Sequence, residues 1–560
     1  MWSGWLWLKA GWVGHLNWQA RRNRGRRRRM GSNAVPTLPS AGGRGRFRLS
    51  QFGGYDHRLG AQDGYIWDME NLTGDHAPVL ASRPPRWTVT TVAKPNGLFC
   101  AGKRLLVDGT RLLVDGVEKG TVVDSQKLFA ALSGRVVIWP DKVVYTTDGK
   151  LERLEAEYSA KGLVFGDGTF AGKPAKANSI TTTGAVFPFR AGDGVTISGC
   201  AEAKNNLTLI VREISEDGKT LRFYENSFTL GSGSVTEAGT VTLQRSVPDF
   251  DVMCSDDNRL WGGKGDTIWC SKLGDPYNWN VFDGVSTDAW SVETGTPGNF
   301  TACTSFLGYP VFFKEDKVFK VYGDRPTNYQ VMASATLGVS AGSGKSLAVA
   351  GETLFYLSRA GIVAYSGGIP RSISAPFGTA RYRNAVGGSD GMKYYVSMED
   401  DNGEWSLFVY DPALGVWHRE DSTRLVAADY LGGVNGLTAD GRLLLLGRPS
   451  EVPEGCVQEG AVRSWVEFGD IPMDSFDSKY PVRLWLRLSS DTAVTVAAEI
   501  QYDGGSWETV DAVKGGSMDR FYLSCPVQRC DHFRLRLSAD GSWRLWGLEV
   551  ELYDGSYVRK

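Results

Sequence analysis

The sequence predicts an all-β protein: a β-propeller core of six or seven blades, a small β domain inserted into it, and a C-terminal β-sandwich. Three observations carry this. Glycine (69 of 560 residues) and tryptophan (19) are both frequent, a composition of short strands and tight turns. From about residue 90, short apolar runs pair around turns bearing Gly, Asp or Asn. These units recur roughly every 40 residues, the length of a four-stranded propeller blade. Several runs are apolar at consecutive positions, as in Leu354-Phe355-Tyr356-Leu357. A blade covered on both faces explains such runs, where a half-wet sheet would alternate.

A chain of 560 residues is too long for one ordinary core, so about two to four domains are expected. Residues 1–29 stand apart. They carry Trp2, Trp5, Trp7, Trp12 and Trp18, then Arg21, Arg22, Arg24 and the run Arg26-Arg27-Arg28-Arg29 directly before Met30. A secretory signal places its charge before its apolar stretch, the reverse of this order. A basic nucleic-acid arm or a tryptophan-rich membrane-surface segment would fit the composition. The expectation is a non-native extension, with Met30 as the start. The whole chain has 62 basic and 63 acidic residues; without the eight bases of residues 1–29 the balance is 54 against 63, or −9. That disfavours a dedicated DNA-gripping surface, which would carry a basic patch. No apolar run of about 18 residues is present, so no membrane-spanning segment is expected.

Residues 30–89 read as an extended N-terminal arm, with Pro36, Pro39, Gly42 and Gly43 breaking any regular element. The propeller is assigned to residues 90–160 and 248–450. Its first hairpin repeats itself: Arg104-Leu105-Leu106-Val107-Asp108-Gly109, then Arg111-Leu112-Leu113-Val114-Asp115-Gly116, each ending in the Asp-Gly of a tight turn. Further pairs follow, among them the strands around Trp261 and Trp269, joined by a Gly263-Lys264-Gly265-Asp266 turn. Tyr410-Asp411-Pro412 with Gly415-Val416-Trp417 looks like a kelch-type closing strand whose Trp417 packs on the next blade. Residues 161–247 interrupt the rhythm; Asn206 to Arg212 and Thr220 to Tyr224 alternate like half-exposed strands, so an inserted β domain is expected. In residues 451–560, Arg483, Trp485 and Arg487 alternate with Leu484, Leu486 and Leu488, the pattern of a sandwich sheet with one wet face.

Signals for chemistry are weak. Eight cysteines form no C-x-x-C pair, and five histidines (15, 57, 76, 418 and 532) are scattered. Gly338-Val339-Ser340-Ala341-Gly342-Ser343-Gly344-Lys345-Ser346 looks like a phosphate-binding loop, but Val339 stands where its first Gly is needed and a strand-type sequence follows. Tyr502-Asp503-Gly504-Gly505-Ser506-Trp507 looks like a sialidase aspartate box, yet occurs once and reads as a hairpin turn. Glu315-Asp316 and Glu399-Asp400-Asp401 would supply paired carboxylates for glycoside hydrolysis, but lie in polar turn contexts. No catalytic residue, cofactor-binding residue, metal ligand or cofactor is expected, and the chain is expected not to be an enzyme.

Residues 258–279, with Asn258-Arg259-Leu260-Trp261-Gly262-Gly263 and Gly274-Asp275-Pro276-Tyr277-Asn278-Trp279, resemble the central segment of tail nozzle proteins (the tail tubular protein B type) and related virion proteins of tailed bacteriophages. Residues 189–200 and 527–535 share the likeness. The resemblance implies a virion structural protein of the tail, a nozzle, hub or head-to-tail connector, assembled in the bacterial host cytoplasm. It implies a homo-oligomeric ring, a hexamer by that likeness. Other tail or neck/portal-adaptor proteins would be its partners, and genomic DNA would pass through without sequence-specific binding. The alternative is a propeller-type carbohydrate-active hydrolase or a host-surface glycan-binding protein.

Overall fold

The computed structural model describes residues 44–58, 64–169, 176–231, 233–282, 284–471 and 478–554; the expected extension 1–29 and the start of the arm lie outside them. Among the described residues there is no α-helix, only strands and four short 3-10 turns. The fold is all-β.

Seven antiparallel sheets form the propeller, six of four strands and one, blade 7, of five. Their innermost strands, for blades 1 to 7, are Pro95–Cys100, Leu128–Leu132, Val252–Asp256, Ala302–Phe306, Ala348–Ala350, Tyr382–Ser389 and Leu425–Tyr430. The ring is closed by chain from before its first blade. Trp87–Thr91 forms the fourth strand of blade 7, pairing with Arg442–Leu446 in the register Leu445↔Trp87. Val457–Gln458 then pairs with its other edge. Closure ties the first and last blades of the ring together, leaving only the short edges of the individual blades.

The consecutive apolar runs have the expected cause. In the second strand of blade 5, Thr353–Ser358, Leu354 and Tyr356 enter the cluster shared with blade 4, while Phe355 and Leu357 enter the cluster shared with blade 6. Blade 4 repeats this, with Val311 and Phe313 on one side and Phe312 on the other. Each strand still alternates with period two; both of its faces are dry. Gly262 marks the closest approach in blade 3, where an added Cβ would lie 2.4 Å from the Phe250 ring.

Between blades 2 and 3, eight strands from Ala156–Lys161 to Thr240–Arg245 form one antiparallel sheet around its own apolar core. A buried knot ties it to blade 3. Arg245 is ion-paired to Asp193 and donates to the Leu154 carbonyl at 3.0 Å. Asn278 donates to Asp193 at 3.1 Å and to Asp275 at 2.7 Å, and accepts from the Gly194 amide at 2.9 Å.

The sandwich differs from expectation in its membership. Arg44–Leu49, Leu72–Thr73 and Leu80–Ser82 join Lys479–Ser490, Asp519–Ser524 and Trp543–Asp554 in one sheet. Ile66–Glu70 joins Arg463–Phe468, Thr495–Tyr502, Trp507–Lys514 and Phe533–Asp540 in the other. Much of the expected extended arm is thus sandwich. Its strands are two to six residues long and their partners lie at the far end of the chain, so no local pattern marks them. Sandwich and propeller also share a core: Leu484, Val550, Tyr55, Phe377 and Trp417 belong to one apolar cluster. The Trp417 indole packs on Phe377 and Tyr410, with ring centroids 4.9 and 4.8 Å away, and donates to the Ile373 carbonyl at 2.9 Å. It therefore covers its own blade and the loop before it rather than the next blade. The outer strand of blade 6 faces the N-terminal segment, where the Tyr55 amide donates to the Trp417 carbonyl at 2.6 Å.

Candidate functional site

A propeller brings the first residues of its inner strands together at one end of its axis, so side chains distant in sequence converge there. In this protein that end holds a recess of about 400 Å³. Leu128, Val252, Ala302, Val386 and Leu425 supply the apolar wall; Gln126, Asp251, Lys345, Asn384, Trp405 and Arg424 supply the polar groups.

Lys345 crosses the mouth. It sits on the 3-10 turn Gly344–Ser346 before the inner strand of blade 5. Its ammonium donates to Gln126 Oε1, before blade 2, and to the Val426 carbonyl of blade 7, both at 3.0 Å. Burial lowers its pKa from the ordinary lysine value. The turn is pressed against blade 4: a Cβ at Gly344 would lie 2.4 Å from the Thr301 carbonyl oxygen. Only glycine permits that approach.

Arg424 lies over the Trp405 ring, its guanidinium carbon 4.6 Å from the ring centroid, a cation–π contact between two residues that both line the recess. Asn384 donates to Glu399 at 2.6 Å, and Arg383 pairs with the same carboxylate at 3.0 Å. These hydrogen bonds, Arg383 first, hold Glu399 below the usual carboxylate range. Among the lining residues Asp251 is the carboxylate, and it is exposed at the rim.

The carboxylates singled out from the sequence are not brought together. Glu315 accepts from the Ala341 amide at 3.0 Å, and Asp400 accepts from the Asn402 and Glu404 amides at 2.9 Å, as turn caps. Asp503 caps the Asp531 and His532 amides in the sandwich. The phosphate-loop look-alike leads into the strand Ala348–Ala350, with no helix for a phosphate to cap. That loop nevertheless carries Lys345 to the axis. Its glycines and lysine were visible in the sequence, but the recess they serve was not.

No family model and no curated protein matches the chain. Among solved structures it is similar to an exo-β-1,3-galactanase from Phanerochaete chrysosporium with galactose, at 11% identity over 52% of this chain and 92% of that one, with a TM-score of 0.22. A glycoside hydrolase family 43 arabinoxylan arabinofuranohydrolase from Bacillus subtilis, in complex with cellotetraose, matches at 11% identity over 77% and 95%, TM-score 0.18. Raptor from Chaetomium thermophilum matches at 12% identity over 66% of this chain and 29% of that one, TM-score 0.31. The expectation that the chain is not an enzyme is corrected by this set: glycoside hydrolases stand among the solved structures similar to it, and the exclusion of a propeller hydrolase is withdrawn. With TM-scores of 0.18–0.31, none of these likenesses brings a substrate or a mechanism to this chain.

Proposed function

We propose that this chain is a glycan-recognising β-propeller protein that works as a component of a bacteriophage tail at the host surface. The observation that carries the first part is the axial recess, where the Trp405 ring stands among Gln126, Asn384, Lys345 and Arg424. Sugars present apolar C–H faces and a periphery of hydroxyls. An aromatic ring meets the first, and amide and cationic side chains held at the mouths of the blades meet the second.

The tail assignment is supported by the resemblance of residues 189–200, 258–279 and 527–535 to nozzle-type virion proteins. Residues of the first two segments, Asp193, Asp275 and Asn278, build the knot that holds the inserted domain on blade 3. A ring of copies, neck or portal-adaptor partners and a central DNA path belong to the same proposal.

The test is calorimetric titration of the purified chain with a panel of bacterial surface polysaccharides and their oligosaccharides, with released reducing ends measured in parallel. The second readout separates binding from turnover. Binding by the wild type, weakened more than tenfold in Trp405→Ala, is the expected outcome. Binding by no member of the panel, or binding indifferent to Trp405, overturns the reading.

A further inference from the structure

We propose that the saccharide held at the propeller mouth carries an oxyanion, and that Lys345 and Arg424 are the pair that select it. This rests on the glycan reading above and names the ligand class of that site.

Lys345 is the first argument. An ammonium has three N–H donors. Two meet neutral acceptors, the Gln126 amide oxygen and the Val426 carbonyl. Among the described residues no carboxylate lies within ion-pair distance of it, and it sits half-buried in a recess. Taking a cation out of water without a counter-charge is costly; a ligand oxyanion would supply the missing charge and the third acceptor. The lowered pKa of the amine has that same cause, burial with no compensating acid.

Arg424 is the second. Its guanidinium rests on Trp405 rather than on an acid, and the planar fork suits a carboxylate, sulfate or phosphate. The other charges at this end are Arg383, Glu399 and Asp251. Glu399 is occupied by Arg383 and Asn384, and Asp251 stands at the exposed rim. Neither cation that lines the recess makes an ion pair among the described residues, although the exposed Arg424 lies close enough to Glu399 to help lower its pKa.

The loop is the third. Gly342 has a left-handed φ of 75° beside Asn384, and Gly344 admits the Thr301 carbonyl where any Cβ would collide. Both glycines serve to bring one lysine over the axis. A volume of about 400 Å³ lies toward the small end of ligand sites, roughly 300–1,000 Å³. That suits a terminal sugar or a short oligosaccharide end.

The experiment titrates the full chain with matched neutral and acidic oligosaccharides: galactose oligomers against galacturonate oligomers, with sulfated and phosphorylated galactose as arms that identify the oxyanion. A preference of at least tenfold for an acidic form is expected, shrinking as sodium chloride rises from 0.05 to 0.5 M, since exposed charge is screened. Lys345→Gln removes the charge and retains an N–H donor on a shorter side chain, so the acidic-to-neutral ratio should collapse toward one; Arg424→Gln should do the same. Equal binding of neutral and acidic forms overturns this inference and leaves the glycan reading standing. No binding of any saccharide overturns the glycan reading itself. A preference that survives in Lys345→Gln with a native melting temperature assigns the lysine to blade bridging alone and refutes the pair. Binding of duplex DNA at this recess in place of saccharide also refutes it.

Discussion

His418 shows how much of a residue's chemistry is invisible until its neighbours are known. In the sequence it is one of five scattered histidines. In the structure it is 5% exposed, packed against Gly74, where a Cβ would lie 2.7 Å from its Cε1. Burial, with Lys393 adding to it, lowers its pKa to about 4, against a smaller raising effect of Asp75. The unfolded chain takes up a proton near pH 6.5, while the folded chain refuses it down to about pH 4. This contribution to stability is therefore complete above pH 6.5 and is lost as pH falls through that window, about 2 kcal/mol by pH 5. Urea unfolding at pH 7 and pH 5 checks it. The wild type should lose more stability than His418→Asn between the two values, and parallel losses would reject the assignment. Lys345 teaches the same lesson. Its Gly-rich loop is conspicuous, and the strand expected after it is present as Ala348–Ala350. Its true setting depends on Gln126 and Val426, contributed by other blades.

The blade is the element that the sequence shows most clearly. Hairpins are local: Asp108 and Arg111 pair across a two-residue turn, as do Lys264 and Thr267. Turn residues and apolar runs suffice to read them. The strands that close the propeller and complete the sandwich are different. Trp87–Thr91 pairs with Arg442–Leu446, and Arg44–Leu49 with Trp543–Asp554. Their register is set by partners at the opposite end of the chain, which no window of neighbouring residues contains. Packing between blades can be tested through its largest side chains. Trp261 is 2% exposed and meets Trp290 and Tyr329 edge-on; Trp417 is 1% exposed and joins blade 6 to the core shared with the sandwich. Alanine at either position should cost about 3–5 kcal/mol, the range for a deleted buried aromatic. Wild-type urea midpoints in both variants would place these rings outside the core.

At the scale of the whole molecule, shared cores and buried charge make the described parts a stiff body. Arg86 is locked between Glu420 at 2.6 Å and Asp421 at 2.7 Å, and Arg83 reaches Glu459 at 2.7 Å where sandwich and propeller meet. A buried pair of this kind does little for net stability but penalises every alternative arrangement in which one partner is left alone. Such stiffness is what a tail wall needs, and a repeated head-to-tail contact whose rotation closes would yield a ring. In the proposed ring, the charge balance would constrain what could pass through it. Beyond residue 29 the chain holds 54 basic against 63 acidic residues. Each phosphate that a protein neutralises strengthens binding and steepens its salt dependence, so a wall past which DNA must slide should make few such contacts. We therefore expect closed rings in negative-stain images of the protein at virion-like concentration. Duplex DNA should bind weaker than micromolar at physiological salt, with a shallow dependence of affinity on salt. A strictly monomeric protein would remove the ring and with it the tail-wall role, while leaving glycan recognition to its own test. Submicromolar duplex binding with a steep salt slope would instead reveal a basic track, at odds with a genome that must leave quickly.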